Sequence, residues 1–479
     1  MKHIDQARRH FLQAASGMAA AAAHPIGARF STPFAMSLAG LGAMAAQSSS
    51  AADTRGPYKA LVCLFLAGGN DSANWLVPTD AAGYAEYAAT RRDLAWPAAR
   101  LLPITSSGQG AGRSFGMPQE LAPLRDLYEA GRMAWVANVG PLERPITKAE
   151  YLAGQGVPAK LFSHNDQASN WQSLSPEGAT SGWGGRMGDL LMSANQYPVF
   201  TAVSAAGNAV FLSGSQVVQY QVNSAGPVRV NALDASQVHG SATAVAALRQ
   251  VVAQTGNNDY QREYARVAQR SLDTTAVLQA GIASTSVATL PSIPIALPNG
   301  GTLNLSQDAL AQQLRVVAQM VATAPRLGMR RQVFMVSMGG FDTHANQMRD
   351  QPLLMARVAH AAGWFMGTLA SQGLQNNVTL FSASDFGRTL TSNGQGSDHG
   401  WGANHFVVGG AVRGRQVYGR MPTLALGTAD DVGSGRLLPS AGVTPYAATM
   451  GRWMGLTDAE TAMVLPNALQ FSPGGLGFL

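Results

Sequence analysis

An α/β fold with a mostly parallel central sheet is predicted by three features of the sequence. Short, largely apolar runs, Tyr58 to Ala67 and Gln332 to Met338 among them, have the length and composition of strands covered on both faces. Helical patterns lie between such runs, and strand–helix–strand order points to parallel pairing. The runs also end in glycine-punctuated turns that carry Asp and His, and an open α/β sheet places its chemistry at the carboxyl ends of its strands.

Residues 1–45 read as a twin-arginine export signal: Lys2, the pair Arg8-Arg9, then Phe11-Leu12 and the alanine-rich stretch Ala14 to Ala23. Cleavage is expected after Ala43-Met44-Ala45 or Ser50-Ala51-Ala52, both of small-x-small type. The twin-arginine translocase is then a partner during export, and the mature protein is expected to be periplasmic or secreted. His24, Arg29 and Pro33 break the apolar run, so stable membrane insertion is not expected. A polar leader follows over 46–57.

From 58 to 479 we expect one elaborated domain. Its first strand, Tyr58 to Ala67, ends in the turn Gly68-Gly69-Asn70-Asp71-Ser72. Residues 118–131 place Leu121, Leu124 and Leu127 on one helical face, and Met133 to Val139 is a second strand. Ser163 to Trp171 starts a helix. Short β-like runs over 197–235 and alanine-rich helices over 240–280 and 307–324, around the Pro-rich linker 290–299, make the block of about 195–330 an expected insertion. The sheet pattern resumes with the strand Gln332 to Met338, the helix 352–371 and the strand Val378 to Ala383. Strands Phe406 to Val412 and Gln416 to Tyr418 and a helix over 445–454 complete it.

Composition excludes several classes. With 46% hydrophobic residues the chain can bury a large core. The signal carries Lys2, Arg8, Arg9, Arg29 and Asp5, so its removal lowers the formal net charge from +6 to +3. No dense Lys/Arg block remains, and nucleic acid is not an expected partner. Cys63 is the single cysteine, which excludes an internal disulfide.

The chemistry concentrates in three segments: Gly-Gly-Phe-Asp-Thr-His (339–344), Ser-Asp-Phe-Gly-Arg-Thr (384–389) and Ser-Asp-His-Gly-Trp-Gly-Ala-Asn-His (397–405). Carboxylates and imidazoles are the ligand set for a divalent metal such as Zn, Mn, Ca or Mg. Asp342 and His344 flank one residue in a turn and can be directed to one point. Asp385, His399 and His405 are further expected ligands, with a local ion pair to Arg388 as the other role for Asp385 and a hydrogen-bonded core position as the other for His405. Asp398 orients His399, and Asp71 reaches the same edge if the first strand is central, or else caps the next helix or closes an Asx turn. That is enough for one or two ions, and two ions roughly 3.5–4 Å apart suit in-line displacement on phosphorus or sulfur. Arg388 is expected to hold the anionic ester substrate bidentately. Ser163, at a helix amino terminus with His164 adjacent, is the best-placed nucleophile, with helix capping as its other role.

The segments Leu66-Ala67-Gly68-Gly69-Asn70-Asp71, Ser163-His164, Gly182-Trp183, Gly340 to His344, Ser384 to Thr389 and Asp398-His399-Gly400 resemble the domain-of-unknown-function family 1501, which is similar to the alkaline phosphatase and sulfatase superfamily. The resemblance implies an alkaline-phosphatase-like three-layer sandwich. It also implies Asp71, Asp342, His344, Asp385 and His399 as ligands and Ser163 at the nucleophile position. Two departures stand out. Phe386 occupies a position where the superfamily often has His, and Ser163 lacks the Cys/Ser-x-Pro-x-Arg context of formylglycine sulfatases. The expected function is therefore an exported metal-dependent hydrolase of phosphate or sulfate esters. The alternative is a non-catalytic periplasmic or surface binding protein that retains the fold.

Overall fold

The computed structural model describes residues 52–105, 107–228, 231–234, 236–254, 258–297 and 300–479. The export signal expected over 1–45, and the leader as far as residue 51, lie outside the described residues. Thr54–Leu479 forms one compact unit. Among the described residues no helix is long and apolar enough to cross a membrane.

Among the described residues ten strands make the central sheet: β1 (Lys59–Leu66), β2 (Met133–Gly140), β3 (Ala202–Ser204), β4 (Tyr220–Asn223), β5 (Gly226–Pro227), β6 (Arg331–Met338), β7 (Val378–Ser384), β8 (Ala403–Val408), β9 (Val417–Tyr418) and β10 (Ala441–Gly442). Their order is β9-β2-β8-β7-β1-β6-β3-β4-β5, with β10 also on β2. The centre β7-β1-β6-β3 is parallel, and β8 runs antiparallel between β7 and β2. β1 buries Ala60 to Leu66 on both faces, as an inner parallel strand must. Each large aliphatic side chain so buried contributes about 1.5–3 kcal/mol.

Helices cover both faces. α1 (Ala81–Arg91), α2 (Ala122–Glu129), α3 (His164–Ser173), α4 (Trp183–Leu191), α5 (Ala309–Thr323), α6 (Gln347–Ser371) and α7 (Val443–Met454) are the ones that matter here. α2, α5 and α6 pack together on one face, where Ala60, Val62, Leu64 and Leu66 of β1 meet them. α3, α4 and α7 lie against the other face, where Trp183 and Tyr446 pack on Phe381 of β7. Helix, sheet, helix is the three-layer arrangement, and it sets the carboxyl ends of β1, β6 and β7 side by side.

Some boundaries differ from expectation. α6 begins at Gln347, five residues before Pro352, and so carries that proline inside it. β8 begins at Ala403 and stops at Val408, before Gly409-Gly410. Within the block 195–330, β3 continues the central sheet beside β6 and α5 packs on α6.

Candidate metal centre

The site forms where β1, β6 and β7 end. After β6 the residues alternate: Phe341 and Thr343 are buried, whereas Asp342 and His344 turn outward to one side. After β7, Asp385 and Phe386 stay buried, and the hairpin of Arg388–Ser392 and Ser397–His399 brings Asp398 and His399 back over the same edge. α3 supplies His164 as its first residue. Ser163 caps that helix, its Oγ 3.5 Å from the Asp166 N–H it accepts and 2.8 Å from the Asp166 carboxylate to which it donates.

Three imidazoles are tied by Nδ1 to oxygen acceptors. His164 Nδ1 lies 2.7 Å from Asp385 Oδ2, His344 Nδ1 lies 3.0 Å from Asp398 Oδ1, and His399 Nδ1 lies 2.8 Å from the Phe162 carbonyl. An acceptor on Nδ1 places the proton there, so each neutral ring turns an Nε2 lone pair inward. His344 Nε2 and His399 Nε2 stand 2.8 Å apart. Around the Asp342 carboxylate, His344 Nε2 is at 3.1 Å, His399 Nε2 at 3.4 Å and His164 Nε2 at 3.5 Å. Lone pairs facing each other repel, and a cation shared between them makes the arrangement favourable. The donor set thus fits a divalent ion, with carboxylates and a carbonyl supporting the ligand rings from behind. Among the described residues, His164, Asp342 and His399 offer ligand atoms that all lie within 4.8 Å of one another, and they could hold a metal ion.

The electrostatics agree with ligands that are ready to bind. Partial burial raises the Asp342 carboxyl, but the hydrogen bond and charge of Arg388 outweigh it and hold it below the usual carboxylate range. Burial pushes the His399 imidazole down by more than its hydrogen bond to the Phe162 carbonyl raises it, and the charge of Arg388 adds to the lowering. Burial raises Asp385 by more than the His164 and Gly68 hydrogen bonds lower it.

Several expected residues stand elsewhere. Asp71 is buried in an ion pair with Arg91 and accepts from Gln347, so its carboxylate serves a guanidinium inside the fold. Asp385 faces Nδ1 of His164 and supports that ring. His405 lies inside β8 against Trp171, with ring centroids 4.5 Å apart, and burial lowers its pKa to about 3. Arg388 is wholly buried and spends its nitrogens on Asp342, Gly68 and Ser397, so it does not face a substrate. Phe386 packs its ring on His164 and His399, at centroid distances of 4.9 and 4.6 Å.

Sequence reasoning overlooked two contributors. The Phe162 carbonyl has no side-chain signature, and Phe162 holds it in place with a positive φ of 70°. Gly68 carries a readable signal, the Gly-Gly after β1. At φ +117° a Cβ there would lie 2.4 Å from the Asp342 backbone nitrogen. Its N–H and carbonyl are used by Asp385 and Arg388, respectively.

No curated protein matches the chain. Among solved structures it is similar to the PsFucS1 sulfatase from Pseudoalteromonas sp., with 10% identity, 88% of this chain and 71% of that chain covered, and a TM-score of 0.31. The C-terminal periplasmic domain of EcEptC from Escherichia coli, in complex with Zn, gives 10% identity, 75% coverage of each chain and a TM-score of 0.28. Thermus thermophilus alkaline phosphatase gives 12% identity, 71% and 62% coverage and a TM-score of 0.27. A family model matches residues 136–466, taking in His164, Asp342, His344 and His399, and the chain belongs to that family, the proteins of unknown function described as DUF1501.

Proposed function

We propose that this protein is an exported, metal-dependent hydrolase of phosphate or sulfate esters. One observation carries the reading: three imidazole Nε2 atoms and the Asp342 carboxylate converge at the carboxyl ends of parallel strands, each ring tied through Nδ1 to an oxygen. His164, Asp342 and His399 would hold a divalent ion, with His344, whose Nε2 lies 3.1 Å from the same carboxylate, as a further ligand beside them, and zinc is the best fit to a nitrogen-rich set. Such an ion supplies Lewis acidity toward a phosphoryl or sulfuryl oxygen. Asp385 and Asp398 fix the tautomers of His164 and His344. Asp342 and His344 stand 45% and 41% exposed, so an ester in solution can reach them. Phe386 shields the inner faces of two ligand rings from water.

Metal analysis of protein purified without chelator, followed by assays on aryl phosphates and aryl sulfates, tests this. A bound divalent ion and hydrolysis that falls to background in Asp342→Ala and His344→Ala are expected. No bound ion together with no metal-stimulated hydrolysis would overturn it.

The second reading is a non-catalytic periplasmic or surface binding protein. It is favoured by the engagement of the two groups expected to act on a substrate: Ser163 caps α3, and Arg388 is buried. If the cellular phenotype survives the double change at Asp342 and His344 in a folded protein, binding away from the metal site is the function.

A further inference from the structure

The most exposed of the four ligands stands on a wholly buried support. Arg388 Nη1 donates to Asp342 Oδ1 at 2.8 Å and to the Gly68 carbonyl at 3.0 Å. Its Nε donates to the Ser397 carbonyl at 3.0 Å and to Ser397 Oγ at 3.3 Å, and Nη2 also meets the Ser397 carbonyl. Behind Arg388, Ser397 Oγ donates to Gln347 Oε1 at 2.6 Å, and Gln347 Nε2 donates to the Asp71 carboxylate. Asp71 pairs with Arg91, which is pinned to the Thr389 and Leu390 carbonyls at 3.0 and 3.3 Å.

The direction of every bond in this chain follows from its far end. An ionised Asp71 can only accept, so the Gln347 amide must turn Nε2 toward it and Oε1 away. Oε1 then accepts the Ser397 hydroxyl proton at 2.6 Å, beside that of Thr343 at 3.2 Å, which leaves an Oγ lone pair of Ser397 for Arg388 Nε. Arg388 is then held by three bonded groups, and one Nη1 proton is left for Asp342. Turning the Gln347 amide would set its Oε1 against the Asp71 carboxylate, acceptor against acceptor, and a buried group left unpaired costs about 1–3 kcal/mol in general. We propose that Gln347 and Ser397 are positioning residues: with Asp71 and Arg91 behind them they set Arg388, and Arg388 sets the Asp342 carboxylate for a divalent cation. This rests on the metal reading above.

Ser397→Ala, Ser397→Thr and Gln347→Met test it, beside Gln332→Met as a control. Gln332 is a buried glutamine at the opposite end of β6, bonded to Tyr58 at 2.6 Å and to the Phe200 carbonyl at 2.8 Å. Zinc affinity is measured by competition with a chromophoric chelator, and the visible spectrum of the cobalt-loaded protein reports the ligand geometry. Ser397→Ala and Gln347→Met should bind zinc about 10- to 100-fold more weakly, the usual range for groups that support a ligand, with an altered cobalt spectrum. Ser397→Thr, which keeps the hydroxyl, and Gln332→Met should match the wild type in both measurements. Wild-type affinity in Ser397→Ala and Gln347→Met, or equal weakening in Gln332→Met, would overturn the proposal. If the wild type takes up neither zinc nor cobalt, the metal reading falls and this proposal with it. If zinc binding depends on Ser397 but no ester is hydrolysed, only the hydrolase assignment fails.

Discussion

Replacing His405 by Phe should remove much of the protein's sensitivity to mild acid. His405 is buried in β8 between Trp171 and Tyr446, with Ser382 Oγ 3.2 Å from Nδ1, and among the described residues Nε2 meets no hydrogen-bond partner. Protonation inside the fold would bury an unpaired cation, so burial lowers the pKa from 6.5 to about 3. The unfolded chain therefore binds a proton between these values that the folded chain refuses. The stability due to neutral His405 is complete above about pH 6.5 and is lost as pH falls toward about 3. Each pH unit in that window costs about 1.4 kcal/mol, so the loss at pH 5 is about 2 kcal/mol. Urea unfolding at pH 7.5 and pH 5.0 measures it. The wild type should lose about 2 kcal/mol more between the two conditions than His405→Phe, which keeps the ring stack and cannot titrate. Equal losses in the two proteins would refute a neutral, unpaired His405. A lower zinc content in the variant would instead return His405 to the ligand set.

Two further outcomes are expected. Asp385→Asn keeps the side-chain shape but weakens the acceptor on His164 Nδ1, and zinc affinity measured by chelator competition should fall about 10- to 100-fold. Gly69→Ala should destabilise the protein by about 1–3 kcal/mol in urea unfolding: φ is +83°, and a Cβ would lie 2.2 Å from the Phe386 ring, so Phe386→Ala should restore part of the loss and leave only the backbone strain.

Legibility varied with the physics behind each residue. Asp342 and His344 could be paired from the sequence because residues two apart after a strand share a side, and the structure sets His344 Nε2 3.1 Å from the Asp342 carboxylate. His164 was readable as a residue beside the site through its place after a helix cap, though as an adjunct to Ser163 rather than as a candidate ligand. Asp71, Asp385 and His405 have the same residue types as ligands, yet their partners are Arg91, His164 and Trp171, all distant in sequence. Arg388 follows Asp385 by three residues, but the hairpin after β7 turns its guanidinium inward to Asp342.

The sequence alone determined the α/β class with a mostly parallel sheet, because largely apolar runs and helical periodicity are local properties of the chain. It also determined which edge of the sheet carries Asp and His, since those residues follow directly on strand ends. Only the tertiary structure decided which of them converge and which atom each presents. Those choices depend on contacts between segments tens to hundreds of residues apart: the Phe162 carbonyl on His399, Asp385 on His164, and Arg91 on Asp71. A carboxylate's role is set by the charge beside it and an imidazole's by what holds its other nitrogen, and both are properties of the folded neighbourhood.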